Sequence, residues 1–159
     1  MKKAEKILLL LLIVSTVLVY SRMPLGNAFF TVISLVVSIY YLIGSVFLFN
    51  DIKLKLAFVR DAYAGIGARE IVMSVLAGLS LFYFIGALLF LVNDWPISAA
   101  KIVVFSAVSF LILCIVLCAI FLIIQSHATY RRIFRRLVSA VVLLGIIILL
   151  QFFRYKYWI

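Results

Sequence analysis

Two stretches of this chain, residues 28–49 and 71–92, contain no Asp, Glu, Lys, Arg or His, and a third, residues 99–125, contains only Lys101. A helix needs roughly 20 mostly apolar residues to cross the ~30 Å hydrocarbon layer of a bilayer, so each of the three is long enough to do so. Their apolar residues run continuously instead of alternating, which is the pattern of spanning helices and not of barrel strands. Composition agrees. Hydrophobic residues make up 69% of the 159 and charged residues 13%, against roughly 45–50% and about 25% in soluble domains. The mean hydropathy is +1.36. A soluble enzyme is excluded on these grounds. A disordered chain is excluded by the apolar content and two prolines, and a disulfide scaffold by the two cysteines.

Two further runs are shorter. Residues 7–20 reach across if Ala4, Ser21 and Met23 are included and Lys6 snorkels to the headgroups. Residues 137–153 are nearly all Leu, Ile and Val through their middle. The expectation is therefore an all-α membrane protein forming one transmembrane domain over residues 1–159, with five transmembrane helices. They would form two tandem helical hairpins, at 4–50 and 71–126, joined by an amphipathic connector at 51–70 and followed by a C-terminal span at 137–153. The first run also has the basic start of a signal peptide, Lys2, Lys3 and Lys6, but Val19-Tyr20-Ser21 is a poor cleavage site. A retained span is expected.

Topology follows from the cations, which collect on the cytoplasmic side of membrane proteins. Eleven of the fifteen Lys and Arg fall on one side of this scheme: Lys2, Lys3, Lys6, Lys53, Lys55, Arg60, Arg69, Arg131, Arg132, Arg135 and Arg136. The other four are Arg22, Lys101, Arg154 and Lys156. That division predicts a multi-pass inner-membrane protein with a cytoplasmic N-terminus and a periplasmic C-terminus. It also accounts for the net charge of +10 without nucleic acid as a partner, because the charges flank spans.

The turns of the two hairpins look alike. A shift of 72 residues carries Pro24 onto Pro96, Ala28 onto Ala100, Ser34 onto Ser106 and Ile43 onto Ile115. Proline brings a fixed φ and no N–H, which suits a chain leaving a turn for a helix. Pro24, Trp95 and Pro96 are the expected hairpin-turn residues, and the match reads as a parallel internal repeat. In the connector, Asp51 to Arg60 mixes charge with apolar residues, as an interfacial helix would. Asn50-Asp51 can cap its start, and Gly65 and Gly67 can end it.

Charges at mid-bilayer are costly and usually functional. All five acids, Glu5, Asp51, Asp61, Glu70 and Asp94, lie at span ends or in loops, which speaks against a proton-driven pump or motor. The small residues recur at helical spacing, Ser34 with Ser38 and Ser74 with Gly78, the pattern of closely approaching helices. Cys114 and Cys118 are four apart and lack metal partners, so no metal or cofactor is expected and the pair reads as small core fillers. Arg131, Arg132, Arg135 and Arg136 form two i,i+4 pairs, a dense patch suited to anionic headgroups or an acidic partner. His127 lies beside them with no acid or nucleophile nearby in sequence.

The hairpin Asp94-Trp95-Pro96-Ile97-Ser98-Ala99 between two apolar runs resembles the paired-span turn in the membrane part of the bacterial gliding-motility subunit GldL. Tyr63-Ala64-Gly65-Ile66 is similar to the segment before such a hairpin in small multi-span relatives. The resemblance covers the two hairpins, about half the chain. It implies a bacterial inner-membrane protein. Ile97 stands where that pattern has glycine, and no ionisable pair occurs within the spans, so motor function is not implied.

The expected function is non-enzymatic: an assembly or scaffold subunit that packs through its spans against lipid, other membrane subunits or further copies of itself. The alternative is a small transporter or channel for a neutral or lipid-like solute, lined by Ser34, Ser38, Tyr41, Ser74 and Tyr83. A third reading is a lipid-directed enzyme using His127 and the arginines.

Overall fold

The computed structural model describes residues 2–52, 63, 65–93, 97–125 and 127–156. It holds five helices: α1 Lys2–Tyr20, α2 Gly26–Phe49, α3 Ala68–Val92, α4 Ile97–Ile124 and α5 Ala128–Lys156. Among the described residues no strand occurs. Trp95 and Pro96, and residues 53–62 of the expected connector, lie outside the described residues.

Of the five expected spans, three are shown by length and composition. Among the described residues, three of the five helices are long and apolar enough by themselves to cross a membrane: α2, α3 and the Lys101–Ile124 part of α4. Charge gathers at the start of each of the other two helices. α1 starts with Lys2, Lys3, Glu5 and Lys6, and α5 carries four arginines in its first three turns.

Successive helices pack side by side, α1 on α2, α2 on α3 and α3 on α4, and α5 lies against α3 and α4. The contacts show an antiparallel order. Glu5 meets Tyr41 near the start of α1 and the latter half of α2, and Leu18 meets Gly26 at the opposite ends. Asn50 meets Ser74, and Thr31 meets Asn93. The starts of α1, α3 and α5 therefore share one end of the bundle with the ends of α2 and α4. That end carries Arg131, Arg132, Arg135 and Arg136.

α3 is the hub, and its buried face of Met73, Ala77, Leu81, Phe84, Ile85 and Leu88 recurs at three- and four-residue spacing. Gly78 on the same helix allows the closest crossing. A Cβ there would stand 2.5 Å from Ser45 Cβ and 2.7 Å from the Tyr41 carbonyl oxygen of α2. Outward, the bundle shows apolar surface almost everywhere. Ile102, Phe105 and Ile123 of α4 are 69, 75 and 86% exposed, and Val32, Ile39 and Ile43 of α2 are also exposed. A helix apolar all round fits a lipid surrounding and not water.

The turns have local causes. α1 ends in a Schellman motif: the Met23 N–H donates to the Leu18 carbonyl at 3.1 Å and the Arg22 N–H to that of Val19 at 3.0 Å, with Arg22 left-handed at φ 54°. Pro24 then sits second in the turn Met23–Gly26, which the Gly26 N–H closes onto the Met23 carbonyl at 3.0 Å. Leu25, third in that turn, has φ 66° and ψ 2°, the geometry a type II turn demands there. Pro24 thus belongs to the turn itself, two residues ahead of α2. Asn50 and Asp51 close α2, and the connector helix expected after them lies outside the described residues. Asn50 is its C-cap, Asp51 is left-handed at φ 59°, and the Ile52 N–H reaches back to Phe47 at 3.0 Å.

Candidate functional site

The chemistry of the described residues concentrates at the arginine end. Arg132 and Arg136 lie one turn apart on α5 and both point into the bundle. The Arg136 guanidinium grips Glu5 of α1 with two bonds, Nε to Oε1 at 2.7 Å and Nη2 to Oε2 at 2.6 Å. Tyr41 of α2 donates to the same Oε1 at 3.1 Å. The Arg136 guanidinium carbon also lies 5.2 Å from the centre of the Phe49 ring, within cation–π range. Glu5 is 7% exposed. A carboxylate so enclosed requires a counter-charge, and a bidentate guanidinium is the strongest this chain can supply.

Arg132 acts on the end of α2. Its Nη1 donates to the Phe49 carbonyl at 3.1 Å and forms an ion pair with Asp51. A cation at a helix C-terminus meets both the orphan carbonyls and the negative end of the dipole. Beside it, Asn50 joins three helices. Its Nδ2 donates to the Val46 carbonyl at 2.9 Å and to Ser74 Oγ at 3.0 Å, and its Oδ1 accepts from Thr129 of α5 at 3.3 Å. Ser74 in turn donates to the Glu70 carbonyl at 2.7 Å. The first turns of α5 are thereby bonded to α1 and to the end of α2, and through Asn50 linked to α3.

The arginine patch read from sequence as one surface is two. Arg132 and Arg136 are turned inward and partly covered, whereas Arg131 and Arg135 are exposed. The i,i+4 pairing is real, but its two rows face different surroundings. Glu5 was not singled out by sequence reasoning. Its signal is slight: a single acid among three lysines at the start of an apolar helix.

The other candidates fall as follows. Ser34, Ser38, Ser74 and Gly78 are all buried. The hydroxyls of Ser34 and Ser45 have no hydrogen-bond partner among the described residues. Of the residues considered for a solute path, Tyr83 is 44% exposed and stacks toward Phe110 of α4, while Tyr41 belongs to the Glu5 cluster. Cys114 and Cys118 are buried and free. The Cys118 thiol donates to the Tyr130 carbonyl at 3.1 Å, and Cys114 Sγ sits 2.9 Å from Ser80 Oγ. They tie α4 to α5 and to α3. His127 is exposed, its ring centre 6.2 Å from that of Tyr130. At the far end, Gln151 of α5 donates to the Leu91 carbonyl at 2.6 Å and Asn93 to Thr31 at 3.1 Å.

A cavity of about 350 Å³ adjoins the Glu5–Arg136 pair. Lys6, Arg135 and Ser139 line it together with apolar residues of α1, α3 and α5.

Comparison with known protein families, with curated proteins and with solved structures gives no match.

Proposed function

We propose that this protein is a non-catalytic, multi-pass subunit of a bacterial inner membrane that serves as an assembly or scaffold element through its helices. The observation that carries the reading is the division of its surfaces. At the arginine end Glu5, Tyr41, Asn50, Arg132 and Arg136 bond one helix to another, while the outward faces of α2 and α4 offer continuous apolar surface to lipid or to other spans.

α1 and α5 cross with the three apolar helices in this reading, giving five spans. Both carry charge at their starts. Each brings a charge the other cancels, Glu5 against Arg136, so the pair enters the membrane as a neutral unit. The arginine end faces the cytoplasm, which sets the N-terminus inside and the C-terminus in the periplasm. The similarity of the two hairpin turns reads as a parallel internal repeat.

Extraction into mild detergent followed by affinity purification tests the function. A defined complex, with other membrane proteins or with further copies, is expected; a monomer with no co-purifying protein overturns the scaffold reading. Reporter fusions after residues 126 and 159 test the topology, with the first expected inside and the second outside.

A further inference from the structure

The cavity beside Glu5 has two chemically distinct parts. Its wall is apolar, formed by Leu9 of α1, Leu81 and Phe84 of α3 and Leu143 of α5. Its rim carries Lys6 and Arg135, both exposed, with Ser139 one turn beyond Arg135. The remaining charges on the lining, Glu5 and Arg136, are locked to each other and contribute no net charge. Two cations are left over at the mouth of an oily recess, at the end of the bundle that carries the arginines.

We propose that this cavity seats an anionic phospholipid. The headgroup phosphate lies between Lys6 and Arg135, and an acyl chain lies along Leu9, Leu81, Phe84 and Leu143. Charge complementarity selects the headgroup: a zwitterionic lipid carries its own cation and gains less from two more. The apolar wall selects a lipid over a free phosphate, which would gain nothing from it. Arg136 contributes less, because its Nε and Nη2 hold Glu5 and that carboxylate cancels its charge. The inference rests on the membrane reading, since a bilayer supplies the ligand.

The test is native mass spectrometry of the full chain released from vesicles of phosphatidylglycerol and phosphatidylcholine in equal parts. The unmodified protein is expected to retain phosphatidylglycerol selectively. Lys6→Gln with Arg135→Gln should weaken that retention roughly thirty-fold, as expected for two cations at a membrane surface. Lys3→Gln with Arg131→Gln removes the same charge outside the cavity and should leave retention near its original level. Ser139→Trp keeps every charge but fills the recess, and should also release the lipid. Equal losses in the two double variants would show diffuse surface attraction and overturn the site. Retention unchanged in Lys6→Gln/Arg135→Gln, or unaffected by Ser139→Trp, overturns it as well. A chain that sits in the membrane yet holds no lipid refutes this inference alone, whereas a chain recovered in the aqueous fraction refutes the membrane reading.

Discussion

Glu5 Oε2 and Arg136 Nη2 stand 2.6 Å apart although 131 positions separate their residues in the chain. The contact joins α1 to α5. Because Glu5 is buried, the pair is far more sensitive to losing one member than both.

Replacing Arg136 alone, as Arg136→Gln, strands the Glu5 carboxylate and should cost about 3 kcal/mol, as observed when buried pairs are broken. Glu5→Gln should cost a similar amount. The double variant should recover a large part of the loss, since no charge is left uncompensated. Thermal unfolding in detergent, run as a double-mutant cycle, measures this. Strict additivity would mean the two groups do not interact.

Gly78 and Gly86 lie on the same helix but should respond oppositely to alanine. At Gly78 a methyl group meets Ser45 at 2.5 Å and the fixed Tyr41 carbonyl at 2.7 Å, so Gly78→Ala should destabilise by about 1–3 kcal/mol through overpacking. At Gly86 nothing lies within 4 Å, and Gly86→Ala should gain up to about 1 kcal/mol from helix propensity. The same thermal assay separates them by sign.

Asn50→Ala removes the bonds to Ser74 and Thr129 together and should cost about 1–3 kcal/mol. Thr129→Ala removes one of them, at 3.3 Å, and should cost about 1 kcal/mol or less. Cysteines placed at residues 50 and 129 should cross-link under a short bifunctional reagent in native membranes. Absence of that product would mean α5 does not dock at the end of α2.

Cys114 and Cys118 are both under 2% exposed. A membrane-permeant maleimide should label them slowly in intact membranes and rapidly after unfolding in dodecyl sulfate. Fast labelling of the native protein would mean that α4 does not pack on α3 and α5 as described.

Much of the architecture was readable from residue order, for a physical reason. Bilayer thickness imposes a length on apolar runs, so α2, α3 and α4 announce themselves. The hairpin turn at Pro24 is equally local, because proline and the neighbouring left-handed residues act within four positions. Asn50-Asp51 is ambiguous for the same local reason: the pair suits a helix start as well as a helix end. The partner at the end of α2 is Arg132, which reaches Asp51 and the Phe49 carbonyl from α5 and has no sequence proximity to either. The arginine patch was legible as a patch, but not its division into inward and outward rows. That division depends on where Glu5 stands, and nothing near Arg136 in sequence points to it.

The bond between α1 and α5 also sets an order of events. During synthesis, residue 5 leaves the ribosome long before residue 136, so the early acid must wait at the membrane surface, hydrated or held by a chaperone, until its late partner emerges. Emergence of α5 is then what seals the bundle. A truncated product lacking α5 would retain its three most apolar helices but keep an open, acid-bearing seam, and quality-control proteases could recognise it by that seam.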